Sequence, residues 1–482
     1  MITFFIVTQA EVLATALDGN VWSAGKIQEA LKNSGSDQST RTVLRALNNV
    51  FRTSVITSLG DVSNSRGDAI NRLIVPATRS WLKKKRLPLE IIQLITLEGL
   101  DVVVLANTKG RLIWQAVRKS KGQTIDAIGR VLEEHGGKFG LIPSGQICPL
   151  VERLALPDSI TNLASLLPPG PFTDGGSKTV AARETFSYLD LLEAESMRII
   201  RETVAVASKP AMLFSMGKDS MAMLRLAQKA FFPDPIPFPL VVIDTRWKFQ
   251  DMYRFREYLE SQPDLEVIVY TNPEAIERDV NPFDFGSATH TDITKTQALR
   301  KVLDTNGFDF VLGGARRDEE KSRAKERIFS IRNESHGWDP KTQRPELWDL
   351  YNTVLTEGET IRTFPISNWT ETDVWRYLER EQVAIVPLYF SALRPFVKRD
   401  NALIMVDDER FPLREEEQIS LDYIRFRTLG CYPLTGGTRS KATNLAEILN
   451  ELEGTQSSER SSRVIDFDQG ASMEQKKRDG YF

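Results

Sequence analysis

The stretch Pro210-Ala211-Met212-Leu213-Phe214-Ser215-Met216-Gly217-Lys218-Asp219-Ser220 decides how the chain is read. An apolar run of strand length ends in Ser-x-Gly-Lys-Asp-Ser, and Met221, Leu224, Ala227 and Gln228 follow with helical spacing. The pattern is a strand, a tight loop and a helix N-terminus. Such a junction binds anions, because the first-turn N–H groups lack intrahelical partners and the helix dipole favours negative charge there. Gly217 permits close backbone approach, Ser215 and Ser220 add hydroxyl donors, and Lys218 supplies a point charge for a phosphate. The spacing is not Gly-x-x-x-x-Gly-Lys-Ser/Thr, so a Walker loop is excluded.

Working outward, further strand-like runs lie at Leu240 to Ile243, Val267 to Tyr270 and Phe308 to Leu312, with helical patterns at 188–204, 252–259 and 294–305. Strands alternating with helices predict an α/β doubly wound parallel sheet, with ligands at the carboxyl ends of its strands. The sharp clusters fall at those ends. Asp244 and Thr245 follow the second strand, where a carboxylate can hold Mg²⁺ or an adenosine group. A segment containing His290 and Asp292 follows the third, and His290 is the better candidate there for a ligand contact. The fourth strand leads into Gly313-Gly314-Ala315-Arg316-Arg317-Asp318-Glu319-Glu320-Lys321-Ser322-Arg323, where two glycines allow close approach and the cations suit a polyphosphate or oxyanion. His336 reads as structural.

Composition bounds the rest. The 482 residues exceed one core, and 41% hydrophobic with 26% charged residues is globular usage. No apolar run approaches the roughly 20 residues that span a bilayer, and Ile2 to Val7 is too short for a signal peptide. Two cysteines, Cys148 and Cys431, exclude a disulfide scaffold and any four-cysteine zinc or iron–sulfur centre built from this chain alone, leaving a cytoplasmic location as the default. Residues 1–180 carry 21 Lys and Arg against 15 Asp and Glu, a net of +6, whereas the remainder carries −9 of the total −3. The basic excess is greatest between Phe51 and Lys121, with Lys83, Lys84, Lys85 and Arg86 adjacent, and fits either a polyanionic partner or a solvated face.

Residues 1–80 read as helices around Val12, Ile27 and Val43, then strands at Val55 to Leu59 and Leu73 to Val75 about an Asn64-Ser65-Arg66-Gly67 loop. That is a winged helix-turn-helix pattern. Residues 81–167 read as a small α/β adaptor domain, 168–180 as a Pro- and Gly-rich linker, and 181–482 as the nucleotide domain.

The loop resembles the pyrophosphate loop of the N-type ATP pyrophosphatases, which cleave ATP between the α- and β-phosphates. From about Leu189 to Phe482 the chain resembles the small subunit of bacterial ATP sulfurylase, sulfate adenylyltransferase subunit 2. Leu192-Glu193-Ala194-Glu195-Ser196, the 215–220 loop, the 313–327 run, Trp338-Asp339-Pro340-Lys341, Phe364 to Glu371, Arg425 to Cys431 and the tail from Met473 carry the resemblance. It implies an adenine nucleotide alpha hydrolase-like fold, ATP with Mg²⁺ held mainly through phosphates, and attack of sulfate on the α-phosphorus. Under it, Lys218, Asp219, Arg316 and Arg317 are the catalytic candidates. Ser215, Met216, Gly217, Ser220, Asp244, Thr245, His290, Asp292, Gly313, Gly314, Lys321 and Arg323 are the nucleotide-binding candidates, and none is assigned as a metal ligand. A GTPase large subunit is the implied partner.

The region before the resemblance keeps other readings open. A basic N-terminal part also suits the ATP pyrophosphatase component of a DNA phosphorothioation system, working with a cysteine desulfurase and other DNA sulfur-modification proteins, or a nucleotide-sensing DNA-binding regulator. A phosphosulfate reductase needs a nucleophilic cysteine in the C-terminal tail, and Lys476 to Phe482 has none, so Cys431 reads as a packed, inert thiol.

Overall fold

The structure is a computed structural model that describes residues 20–33, 55–97, 100–117, 121–170, 172, 187–320, 323–399 and 402–453. The chain divides into two compact units, one of Met1–Gly170 with Leu393–Phe396 and Asp408–Asp422, the other of Pro171–Ala392, Val397–Asp407 and Tyr423–Phe482.

The first unit is built on a six-stranded mixed sheet. In chain order its elements are β1 (Trp22–Ser23), α1 (Ala24–Asn33), α2 (Val75–Lys85), β2 (Leu89–Leu97), β3 (Leu100–Ala106), β4 (Leu112–Val117), α3 (Lys121–His135), β5 (Phe139–Ser144) and β6 (Ile160–Asn162), with sheet order β1-β4-β3-β2-β5-β6. The period-two alternation of β3 explains its two cores. Val103 and Leu105 pack with Ala127, Ile128 and Val131 of α3, while Val102 and Val104 pack with Trp114 and, from the opposite face, Ala24 and Ile27 of α1. Fully burying each such side chain is worth about 1.5–3 kcal/mol.

Two expectations for this region are corrected. Leu73 to Val75 is not a wing strand but the 3₁₀ turn Arg72–Ile74 entering α2, because Asn71 Oδ1 caps Leu73 N and Pro76 occupies the first helical turn. Nor do residues 55–59 form a strand: Gln93 holds the Ile56 backbone through its side chain, Leu59–Asp61 is a 3₁₀ turn, and only the bridge Ser63–Ala69 resembles a hairpin. The expected helix near Ile27 is α1, whereas those near Val12 and Val43 lie outside the described residues. The expected division near residue 80 falls inside this unit, since β1 pairs with β4.

The second unit holds α4 (Tyr188–Val206), β7 (Pro210–Leu213), α5 (Lys218–Phe231), β8 (Leu240–Ile243), α6 (Gln250–Glu260), β9 (Val267–Tyr270), α7 (Ala298–Asn306), β10 (Phe310–Leu312), β11 (Phe329–Arg332), β12 (Thr360–Thr363) and α8 (Glu371–Arg380). Its sheet order is β11-β12-β10-β7-β8-β9, parallel throughout except for β11 at the edge. Val311 of β10 packs with Leu299, Val302 and Leu303 of α7, while its neighbour Phe310 packs with Ile199 of α4. Helices therefore cover both faces, as a doubly wound sheet requires. From β7 the chain runs outward through β8 and β9, then returns to β10 on the opposite side. The order reverses between β7 and β10, the point where such sheets bind ligands. A further four-stranded sheet, in the order 402–405, 392–399, 420–425 and 438–439, was not foreseen.

Candidate active site

A cavity of about 280 Å³ opens at the carboxyl ends of the central strands of the second unit. It is lined by Leu213 to Ser215 and Gly217 to Ser220 from the β7–α5 junction, by Lys248 beyond β8, by Thr291 and Lys295, by Gly314, Ala315, Glu319 and Arg323 beyond β10, and by Tyr389 and Thr428 to Cys431.

The β7–α5 loop is held by its own hydroxyls. Ser215 N donates to Ser220 Oγ at 3.2 Å, the two hydroxyls lie 2.9 Å apart, and Gly217 N approaches Ser215 Oγ at 3.4 Å. Buried Met216 takes φ +61°, a left-handed conformation that costs a non-glycine residue on the order of 1 kcal/mol or more and gives the loop its sharp turn. Lys218 N–H is satisfied by Tyr389 Oη at 2.7 Å. Met221 N begins the intrahelical ladder on Gly217 O at 2.9 Å.

Charge around the loop is organised by Asp219. Its carboxylate takes Arg316 Nε at 2.7 Å and lies 3.3 Å from Lys218 Nζ, and Arg316 also reaches Asp318 at 3.2 Å. Burial pushes the Asp219 carboxyl up, but Lys218 and Arg316 together outweigh it, against opposition from Glu319, and hold it below the usual carboxylate range. Arg323 is paired with Glu319 at 3.1 Å.

Ser215, Gly217, Lys218, Asp219, Ser220, Gly314 and Arg323 thus converge on one cavity. Other candidates are placed elsewhere. Arg316, buried to 1% exposure, stands behind Asp219, and Arg317 turns to the Asn368 side chain and donates its backbone N–H to Ser367 O at 2.9 Å; neither lines the cavity. Asp244 is taken by Arg256 at 2.7 Å and by Arg246 N at 2.8 Å. Asp292 is exposed and accepts from Gln297. Thr245 is buried and accepts from Cys431 Sγ at 3.4 Å. Gly313 donates its backbone N–H to Thr363 O at 2.8 Å, while Gly314, besides lining the cavity, permits close helix–strand packing, since a Cβ there would sit 3.2 Å from Asp219 Cβ. His290 is fully buried and does not line the cavity; burial, then the Lys295 charge, pushes its pKa down to about 4 against an opposing contribution from the Thr245 backbone. The ring is neutral at physiological pH. Lys321 lies outside the described residues.

Lys248, Lys295, Tyr389 and the 428–435 segment were missed as site residues. Lys295 sits four residues after Thr291, a spacing that shares a helical face and that sequence alone offered. No local signal marks Tyr389. The 428–435 segment is pinned by Tyr432 N donating to Trp247 O at 2.7 Å and by the stacked Trp247 and Tyr432 rings, 6.0 Å apart. Cys431, expected to be a packed thiol, is buried, and it also lines the cavity. Burial pushes its pKa up, but Lys295 and Lys248 outweigh that and bring it below the ordinary thiol value. Among the described residues no cluster of three or more His, Cys, Asp or Glu side chains forms a metal site.

Residues 209–437 match the family model described as the phosphoadenosine phosphosulfate reductase domain. Sulfate adenylyltransferase subunit 2 of Bradyrhizobium sp. (strain BTAi1) is 60% identical over 296 residues, covering 61% of this chain and 92% of that relative. The chain belongs to the sulfate adenylyltransferase subunit 2 family. The Geobacter metallireducens member is 56% identical over 300 residues, 62% of this chain and all of its own length. Family likeness is confined to the C-terminal part, and the N-terminal region is unaligned. Among solved structures, a phosphoadenylyl-sulfate reductase from Candida auris covers 43% of this chain and 93% of its own at 14% identity and a TM-score of 0.30. The family motifs read in the sequence divide by role. The Glu195 and Ser196 pair is structural, binding Asn368 Nδ2 at 2.8 Å, Pro365 O at 2.9 Å and Trp369 Nε1 at 2.9 Å, whereas Thr428 to Cys431 reach the cavity.

Proposed function

We propose that the cavity binds ATP and transfers its adenylyl group to sulfate, releasing pyrophosphate. The observation that carries this reading is a cation-lined cavity at the sheet's reversal point, opening on the N-terminus of the 14-residue helix α5. The chemistry balances without a redox partner. A sulfate oxygen forms a bond to the α-phosphorus, the bond from that phosphorus to the α–β bridging oxygen breaks, and its electron pair leaves with pyrophosphate. Such a transfer is driven mainly by positioning and charge neutralisation. Lys218 neutralises the leaving pyrophosphate, Asp219 and Arg316 fix the loop's charge, and Leu213, Val241, Ile243 and Leu299 supply an apolar wall for the nucleoside. The carboxylates in the cavity lining are Asp219 and Glu319, both engaged by cations, a donor set that fits Mg²⁺ arriving on the nucleotide phosphates rather than in a protein cage.

As its relatives are named subunit 2, a large subunit is the expected partner, with a GTPase as the form that couples an uphill adenylylation. A DNA role for the first unit rests on a different observation: Lys83, Lys84, Lys85 and Arg86 are all exposed at the end of α2.

Phosphorus NMR of the products tests the reading. The expected outcome is pyrophosphate with an AMP-containing product, and a loss of turnover on the order of 10²-fold or more in Lys218→Ala. ADP and inorganic phosphate as primary products exclude it.

A further inference from the structure

The backbone donors in the first turn of α5 are not equivalent. Gly217, its N-cap, has no side chain with which to cap the helix, and the N–H groups at such a terminus lack intrahelical acceptors. Gly217 N lies 3.4 Å from Ser215 Oγ, and Lys218 N donates to Tyr389 Oη at 2.7 Å. Among the described residues, the N–H groups of Asp219 and Ser220 have no acceptor. An anion entering the cavity therefore meets two open amides beside a third that a neutral hydroxyl already holds. That hydroxyl comes from 171 positions along the chain and is itself firmly seated. Tyr389 is 1% exposed in the 3₁₀ turn Pro387–Tyr389, its ring stands edge-on to Trp375 of α8 with centroids 5.1 Å apart, and Leu388 O accepts from Phe426 N at 2.9 Å. Phe426 leads into Thr428 to Cys431, so the same turn is tied to another wall of the cavity.

We propose that Tyr389 is a positioning residue of the adenylyl-transfer site: its hydroxyl fixes the Lys218 amide, so that the phosphate chain is received by the amides of Asp219 and Ser220. The proposal rests on the adenylyl-transfer reading for the reaction that this positioning serves. A phenol oxygen satisfies the first donor without bringing a negative charge that would repel the phosphates. Removing it takes away an acceptor 2.7 Å from a buried N–H, a cost that the peptide plane relieves by turning away. The loop has strain to drive that turn, since Met216 is held at φ +61°. A shift of about 1 Å in groups that hold a reacting phosphate can cost on the order of 10²-fold in rate.

The test uses the full-length chain and three readouts, only the last of which needs turnover. Amide hydrogen exchange at single-residue resolution is followed first in the wild type. Its Lys218 amide is expected to exchange slowly with or without pyrophosphate, whereas the Asp219 and Ser220 amides slow only when pyrophosphate is added. Tyr389→Phe then removes the oxygen and keeps the ring against Trp375. In that variant the Lys218 amide is expected to exchange about tenfold faster or more, and the affinity for pyrophosphate, measured by calorimetry, to fall about tenfold. In sulfate-dependent pyrophosphate release its kcat/KM for ATP is expected to fall about tenfold or more. Arg380→Met, which disturbs the same unit without touching the hydroxyl, is expected to keep a pyrophosphate affinity within about twofold of wild type.

A Lys218 amide that exchanges fast in the wild type, or a Tyr389→Phe variant with wild-type affinity for pyrophosphate, overturns the positioning role. If the wild type still releases pyrophosphate from ATP, the adenylyl-transfer reading survives that result. An equal loss of affinity in Arg380→Met also overturns the role, because the effect is then one of general stability. Conversely, the expected exchange pattern and affinity loss, in a wild type that releases no pyrophosphate from ATP, support Tyr389 as the residue that sets the phosphate loop and overturn the adenylyl-transfer reading instead.

Discussion

His290 shows how one buried ring ties sequence, burial and pH together. Its side chain is fully buried beside two lysines that line the cavity, and its pKa falls to about 4 from an ordinary 6.5. Between those values the unfolded chain binds the proton that the folded state refuses, so stability is fully present above about 6.5, declines as pH falls toward about 4, and then levels. The contribution is on the order of 3 kcal/mol. Denaturant unfolding of wild type and His290→Leu at pH 7 and pH 4.5 isolates it from the carboxylates, which both proteins share. The stability gap between them is expected to shift against the wild type by about that amount at the lower pH; a gap independent of pH rules the account out. Residue identity was legible here, but not residue role. The sequence marks His290, Arg316 and Arg317 as chemically able, yet burial makes His290 a neutral core group and Arg316 the support behind Asp219. Lys248, four residues beyond Asp244, was passed over in the sequence, and only the fold places it in the cavity lining.

At the scale of elements, the helices around the loop are joined by a buried ion network. Arg380 at the end of α8 bonds Asp190 and Glu193 of α4 and lies 3.1 Å from Glu381, while Lys229 of α5 reaches Glu193 and lies 3.1 Å from Glu381. Arg225 of α5 adds a contact to Glu381 at 3.2 Å. Since the Arg380 side chain is 5% exposed, removing it leaves several carboxylates partly desolvated and unmatched. Arg380→Met is expected to destabilise the protein by about 3 kcal/mol, read by urea unfolding, while the KM for ATP changes little. A variant of normal stability with a weakened KM for ATP would instead make the network part of nucleotide binding. These helices, and the strands from β7 to β10, were readable because their apolar spacing is local. Strands β11 and β12 and the 392–439 sheet were not, because short strands of mixed polarity declare themselves only through partners far along the chain.

For the whole molecule, the charge asymmetry read from sequence becomes a specific surface. Lys83, Lys84, Lys85 and Arg86 are exposed at the C-terminal end of α2, where cations also complement the helix dipole. If the quartet serves DNA, full-length protein binds duplex DNA at about 50 mM salt, with log K falling against log salt with a slope of about −3 to −4 for four phosphate contacts. Replacing all four by glutamine is expected to abolish that slope. No binding by the wild type at that salt would leave the dipole role alone. No helix among the described residues is long and apolar enough to cross a membrane.

The sequence by itself determined what is encoded over short distances along the chain: the strand-loop-helix at 210–231, the parallel α/β class, the family, and the cations that follow the first and fourth strands of the nucleotide domain. Hydrophobic period, glycine placement and motif spacing are properties of neighbouring residues, so they survive without coordinates. Tertiary structure alone decided which charges cancel. It paired Arg316 with Asp219 across 97 positions, brought Tyr389 to the Lys218 N–H and Cys431 to Thr245, and set Lys248 and Lys295 beside Cys431. Burial and Coulomb interactions depend on distance in space, and the distances that set this cavity's chemistry are closed by the fold.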